Sequence, residues 1–173
     1  PRAKKRNEEC IAAVGDPREL ATYKRILAIY DSKDKIPGLT RIGNDGWFYN
    51  FWRDENHVQG IWRRTTLESY RSAAPVWETV IDVDALPPPT TGTASTWVWH
   101  GASPLDEGPD GAWDRVLVSL SPGGSDADTC REFDLSAGDW CDPATGFALS
   151  EPAKTRAGYR SRQELLVGTD FGG

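Results

Sequence analysis

Acyl-transfer chemistry needs a nucleophile, a base beside it and an orienting acid, so serines and histidines come first. The chain has only two imidazoles, His57 and His100. A hydrolase nucleophile elbow reads Gly-x-Ser-x-Gly, and the two nearest approaches fail: Ser103 follows Gly101-Ala102 but precedes Pro104-Leu105, and Ser125 follows Gly123-Gly124 but precedes Asp126-Ala127. His57 lies between Asn56 and Val58 in a predicted hairpin turn, where an exposed side chain is expected rather than a general base. Asp170-Phe171-Gly172 matches the metal-binding tripeptide of kinases, yet no Gly-rich phosphate loop, strand Lys or His-Arg-Asp loop accompanies it, so we read it as coincidence. Asp126, Asp128 and Asp134 lack the central Gly and terminal Glu of a calcium loop and are assigned to turns and caps. Three cysteines, Cys10, Cys130 and Cys141, show no CxxC or Cys/His spacing for zinc. Cys130 and Cys141 flank a turn and could meet across strands, but a chain without a secretion signal is expected to keep them as thiols. The residues therefore give no catalytic, cofactor-binding or metal site, and no cofactor.

The elements that would carry such groups are mainly β. Trp47, Tyr49 and Phe51 alternate with Phe48, Asn50 and Trp52, so both faces of that segment carry rings, as in a strand buried between neighbours. Ile61 to Thr66 forms the second arm of a hairpin around Asp54 to Gln59, and Trp77 to Asp82 a third strand. Three strands cannot bury themselves alone and require further sheets stacked on them. A second unit supplies them: Thr96 to His100, a loop at Gly101 to Gly111, Asp114 to Ser121, a turn at Pro122 to Asp126, Thr129 to Asp134, and a short strand at Gly146 to Leu149. Glu164 to Gly168 opens a third unit. Strands at 47 and 97, and at 115 and 164, recur at about fifty residues, a period in the range of β-propeller blades. The fold class expected is thus an incomplete β-propeller, the first two to three blades, with an open edge and an N-terminal helix. That helix spans residues 17–30: Asp16 caps it, Pro17 takes its first position, and Leu20, Tyr23, Leu27 and Tyr30 form one apolar stripe. It faces no helical partner of its own, so its docking surface is expected elsewhere. The expected domains are 1–38, holding basic tail, helix and connector, and 39–173, with blade-like units at 46–86, 96–150 and about 160–173.

Composition narrows the partners. A length of 173 residues, 38% hydrophobic, permits one ordinary domain or part of a larger one. Eight tryptophans suit sheet cores, with stacking on sugars or bases as the alternative. A net charge of −6 argues against nucleic acid as a partner. The basic cluster Arg2, Lys4, Lys5 and Arg6 reads as a solvated, frayed terminus rather than an import signal or transit remnant. No run of 18 apolar residues occurs, so no membrane span is expected, and with no signal pattern visible a cytoplasmic location is the expectation. The sequence contains no Met, from which we expect that it begins inside a longer chain. The run Ala85 to Ser95, with Pro87, Pro88 and Pro89, reads as an extended surface connection between sheet units rather than an SH3-type ligand.

Several of these runs together resemble a known family. Tyr30-Asp-Ser-Lys-Asp-Lys-Ile-Pro, Gly46-Trp-Phe-Tyr-Asn-Phe-Trp-Arg-Asp, His57-Val-Gln-Gly-Ile-Trp-Arg-Arg-Thr-Thr, Trp77-Glu-Thr-Val-Ile-Asp, Leu117-Val-Ser-Leu-Ser-Pro-Gly-Gly-Ser-Asp-Ala and Leu165-Leu-Val-Gly-Thr-Asp-Phe-Gly resemble the N-terminal region of the prolyl oligopeptidase family, in its bacterial-type branch. The resemblance runs from about residue 16 almost to the end. It implies a seven-bladed propeller that caps an α/β-hydrolase domain and admits only short peptides, with an N-terminal helix packed on the hydrolase. It also implies a serine-type endopeptidase cutting after proline, whose Ser, Asp and His lie in the C-terminal hydrolase domain; no position here corresponds to them. The expected partners are therefore that hydrolase domain and short peptide substrates, and the chain alone is expected to be inactive. A free-standing, non-catalytic propeller that binds a protein partner is the alternative.

Overall fold

The computed structural model describes residues 2–90 and 92–170. It divides into two compact units, Pro1–Ile36 and Pro37–Gly173.

The first unit is helical. Helix α1 spans Arg2–Val14, where the sequence led us to expect a frayed tail. Its stabilisation is local: Ala and long-chain residues favour helix, and Glu9 pairs with Arg6 at 2.7 Å and with Lys5 at 4.0 Å, three and four residues apart. Gly15, at φ 87°, ends it, and its N–H donates to the Ile11 carbonyl. Asp16 does cap the next turn, accepting from the Arg18 N–H, with Pro17 in its first position. The expected helix over 17–30 is nevertheless interrupted. A 3-10 turn at Pro17–Glu19 closes with Leu20 N–H on the Pro17 carbonyl, Leu20 turns extended, and α2 runs over Ala21–Tyr30. No residue of either helix is buried.

The second unit is almost wholly antiparallel β. β1 (Thr40–Arg41), β2 (Trp47–Trp52), β3 (Ile61–Thr66) and β4 (Glu78–Asp82) form one sheet in that order. The β2–β3 hairpin pairs Trp47 with Thr66 and Trp52 with Ile61. Asp54 organises its turn by accepting from the N–H groups of Asn56 and His57 and from Trp52 Nε1. Gly60 closes it at φ 108°; a Cβ there would lie 2.4 Å from Phe51 Cζ, so only glycine fits. A short α3 (Leu67–Tyr70), capped by Thr66, fills part of the break before β4.

The second sheet contains β5 (Trp97–Pro104), β6 (Arg115–Pro122) and β7 (Asp128–Asp134), whose far edge is shared by β8 (Asp139–Trp140) and β9 (Ala148–Ala153). β5 runs four residues past the expected end at His100. The register shifts between Trp99 and Gly101, and Gly101 at φ 133° permits this bulge, so the glycine bends a strand rather than starting a loop. β10 (Arg156–Ser161) and β11 (Glu164–Gly168) form a separate hairpin. The expected fifty-residue period joins strands that are not equivalent. β2 is second in its sheet whereas β5 is first; the third strands, β3 and β7, open at Ile61 and Asp128.

The two sheets stack through aromatic rings. Phe51 lies on Trp99 at 5.0 Å, Trp62 on Trp99 at 5.4 Å and Tyr49 on Trp62 at 5.0 Å, over a core that includes Ile81, Val116, Val118 and Phe133. Trp97 and Trp99 thus sit against the core, as a blade reading requires. On the opposite face of the first sheet, Asn50 and Thr65 are also buried, and their side chains bond the Gly38 and Val76 carbonyls. The result is a mainly β, propeller-type arrangement of stacked antiparallel sheets that, among the described residues, form no closed barrel.

Candidate functional site

The residues singled out for chemistry fall in separate places. Ser103 is exposed on β5, and Ser125 sits in the turn after β6, where its hydroxyl donates to the Ala127 carbonyl. His57 Nδ1 lies 3.0 Å from Asp54 Oδ1 in the first hairpin. His100 Nδ1 lies 2.6 Å from Asp128 Oδ1 in the second sheet, close enough for an ion pair but poorly aligned, so that buried oxygen has no well-directed donor. Among the described residues neither imidazole hydrogen-bonds a serine hydroxyl, and no three His, Cys, Asp or Glu side chains cluster as metal ligands would. Asp134 caps the turn at Ser136 and Ala137. Asp170 accepts from the Lys154 N–H, while Phe171 and Gly172 of the kinase-like tripeptide lie outside the described residues. Cys130 and Cys141 are free thiols, both pushed up by burial.

The side chains that do converge are arginines on tryptophans. Strand alternation sends Arg63 and Arg64 to opposite faces of β3. Arg63 lies between the indoles of Trp52, at 4.6 Å, and Trp77, at 4.0 Å, with its Nε–H on Asn50 Oδ1. Burial lowers its pKa from the ordinary guanidinium value. Arg64 covers Trp47 at 4.4 Å and is held by Glu78 at 2.5 Å. On β7, Arg131 covers Trp140 at 4.8 Å. Reading the tryptophans as core missed these stacks; the signal available was the Trp62-Arg63-Arg64 run itself.

Arg131 opens into a cavity of about 360 Å³. Leu86, Pro87, Pro88 and Thr90 form one wall, and Trp97, Leu120, Thr129, Arg131, Trp140 and Ser150 of the second sheet form the rest. Trp97 Nε1–H donates to the Pro87 carbonyl at 2.7 Å, which fixes the proline connector against the sheet. The connector, expected only as a surface link, is therefore also a wall.

The β10–β11 hairpin is anchored by polar contacts. Tyr159 donates its hydroxyl to Glu132 Oε1 at 2.8 Å, and Glu132 Oε2 accepts from the Phe147 N–H. Burial, then the facing carboxylate, raises the Tyr159 pKa well above the phenol range. Arg162, in the hairpin turn itself, pairs with Asp114 at 2.7 Å and with Glu107, and holds both carboxyls below their ordinary values.

This geometry has known relatives. The family model described as prolyl oligopeptidase, N-terminal beta-propeller domain, matches residues 16–152. An uncharacterized peptidase of Sinorhizobium fredii is 43% identical over 136 residues, covering 79% of this chain and 17% of that protein. An uncharacterized peptidase of Rickettsia prowazekii is 35% identical over 123 residues, covering 68% of this chain and 16% of that protein. The solved structure of a post-proline cleaving enzyme from Rickettsia typhi superposes with a TM-score of 0.62 at 29% identity, covering 92% of this chain and 23% of that one. The chain thus spans about a sixth of the curated relatives it matches. Stacked antiparallel sheets and a family match over most of the length lead to one conclusion: the chain belongs to the prolyl oligopeptidase family, in its N-terminal β-propeller region.

Proposed function

We propose that this chain is the opening part of the propeller of a serine-type endopeptidase that cleaves short peptides after proline, and that it screens substrates for a hydrolase domain carried elsewhere on the polypeptide. The observation that carries the reading is the stack of two antiparallel sheets through Phe51, Trp62 and Trp99, within a chain 29% identical to an enzyme described as post-proline cleaving. Residues 46–86, 96–150 and about 160 onward are taken as successive blade units, and 1–38 as the segment that reaches the hydrolase. Exposed Leu20, Tyr23, Ile26 and Leu27 supply apolar area for such a contact. The nucleophile, base and acid come from the hydrolase domain, and no residue of this chain is assigned a catalytic, cofactor or metal role. None of its described helices is long and apolar enough to cross a membrane. We assign the enzyme to the cytoplasm, where free thiols at Cys10, Cys130 and Cys141 are stable.

The screening role is tested by comparing the intact polypeptide with a form lacking residues 37–173, on a short proline peptide and on a long unfolded protein. The intact form should cut only the short peptide, and the shortened form should lose that discrimination. An intact enzyme that digests the long protein equally well would refute screening.

A further inference from the structure

The cavity beneath the proline connector has a composition that specifies a ligand. Its volume, about 360 Å³, falls in the range of small-molecule sites, about 300–1,000 Å³. Pro87, Pro88, Trp97 and Trp140 give it apolar walls, and Arg131 is its single charged group. That guanidinium rests on the Trp140 ring, and among the described residues no carboxylate lies within ion-pair distance of it. Strand geometry explains why. Along β7 the side chains alternate, so Glu132 points to the face away from Arg131 and is taken up by Tyr159. Arg115, the other arginine of this sheet, already has Asp134. Arg131 is thus a cation held flat by an indole at the side of an apolar pocket, its hydrogen-bonding edge unclaimed among the described residues.

From this we infer that the cavity binds a small apolar carboxylate, with Arg131 forking the carboxylate and the body of the ligand packed on Trp97, Trp140 and the connector prolines. A planar guanidinium presents two parallel N–H donors that match a carboxylate. An apolar body loses water on both faces between indole and proline. A short peptide with an apolar last residue and a free C-terminus has this chemistry. The inference stands apart from the peptidase reading, because it concerns binding with no bond cleaved.

The test is a titration of the intact polypeptide with N-acetyl-phenylalanyl-leucine, which has no proline bond to cut, as the free acid and as the C-terminal amide, followed by tryptophan fluorescence and by the NMR indole signals of Trp97 and Trp140. The free acid should bind saturably and shift both indoles. The amide should bind weaker by roughly ten- to a hundredfold, the worth of a charge-assisted hydrogen bond. Arg131→Gln should abolish the difference between acid and amide. Ser150→Glu, an exposed change that places a tethered carboxylate at the same cavity, should weaken the acid while leaving the fold intact. Equal binding of acid and amide, acid binding that survives both substitutions, or no saturable shift would overturn the inference. None of these outcomes bears on post-proline cleavage, which is measured separately.

Discussion

Phe51 on β2 and Trp99 on β5 stack with ring centroids 5.0 Å apart and planes within 9°. The pair joins two sheets that share no backbone ladder, so the contact between them depends on side-chain packing. Phe51 also fixes its own hairpin, because its ring fills the space a Cβ on Gly60 would need. One ring thus couples the first turn to the stacking of the sheets.

A double-mutant cycle on Phe51→Leu and Trp99→Leu should show a coupling of about 0.5–1.5 kcal/mol beyond the loss of buried area. Denaturant unfolding of the intact polypeptide measures it. Strict additivity would mean that the sheets are held by other contacts.

Tyr159→Phe removes the hydroxyl that donates to Glu132, a residue 9% exposed. A buried carboxylate oxygen left without that donor should cost about 1–3 kcal/mol. Amide exchange should also quicken across β10 and β11. Exchange that rises evenly over the whole protein, with the hairpin no faster than the rest, would contradict the anchoring role.

Asp54 gives a pH dependence with a defined sign. Burial raises its pKa, but hydrogen bonds from His57, Trp52 and the Asn56 and His57 N–H groups outweigh it and hold the carboxyl at about 2. An unfolded aspartate titrates at about 3.9. Because the folded value is depressed, the contribution of Asp54 is complete above about pH 4 and is lost as the pH falls toward 2. The carboxyl carbon shift of Asp54 should titrate at the depressed value, and the Asn56 amide should follow it. Titration near 3.9 would show that the turn is not held this way.

Much of this fold was legible in the sequence, for identifiable reasons. β2 and β3 announce themselves because Trp47 to Trp52 and Ile61 to Thr66 place large or β-branched side chains on both faces. β10 was missed: Arg156-Ala-Gly-Tyr-Arg-Ser has one large anchor, Tyr159, and its partner Glu132 lies in a distant strand. β1 and β8, two residues each, exist only through their pairing with β2 and β7. α1 buries no residue, and its large apolar side chains, Ile11 and Val14, stand only in its last turn, too few to mark thirteen residues as a helix; helix formers and charge pairs carry the rest. The Arg63 stack escaped because Trp52 and Trp77 reach it only through the register of three strands. Arg131 escaped because its cavity is completed by the connector that the prolines marked as a mere link.

The most direct test of the account is turnover of a fluorogenic Gly-Pro peptide by two purified proteins, the intact polypeptide and residues 1–173 alone. We predict cleavage after proline by the intact polypeptide and none by residues 1–173. Turnover by residues 1–173 that persists through purification, or an intact polypeptide that leaves the proline bond uncut, would contradict it.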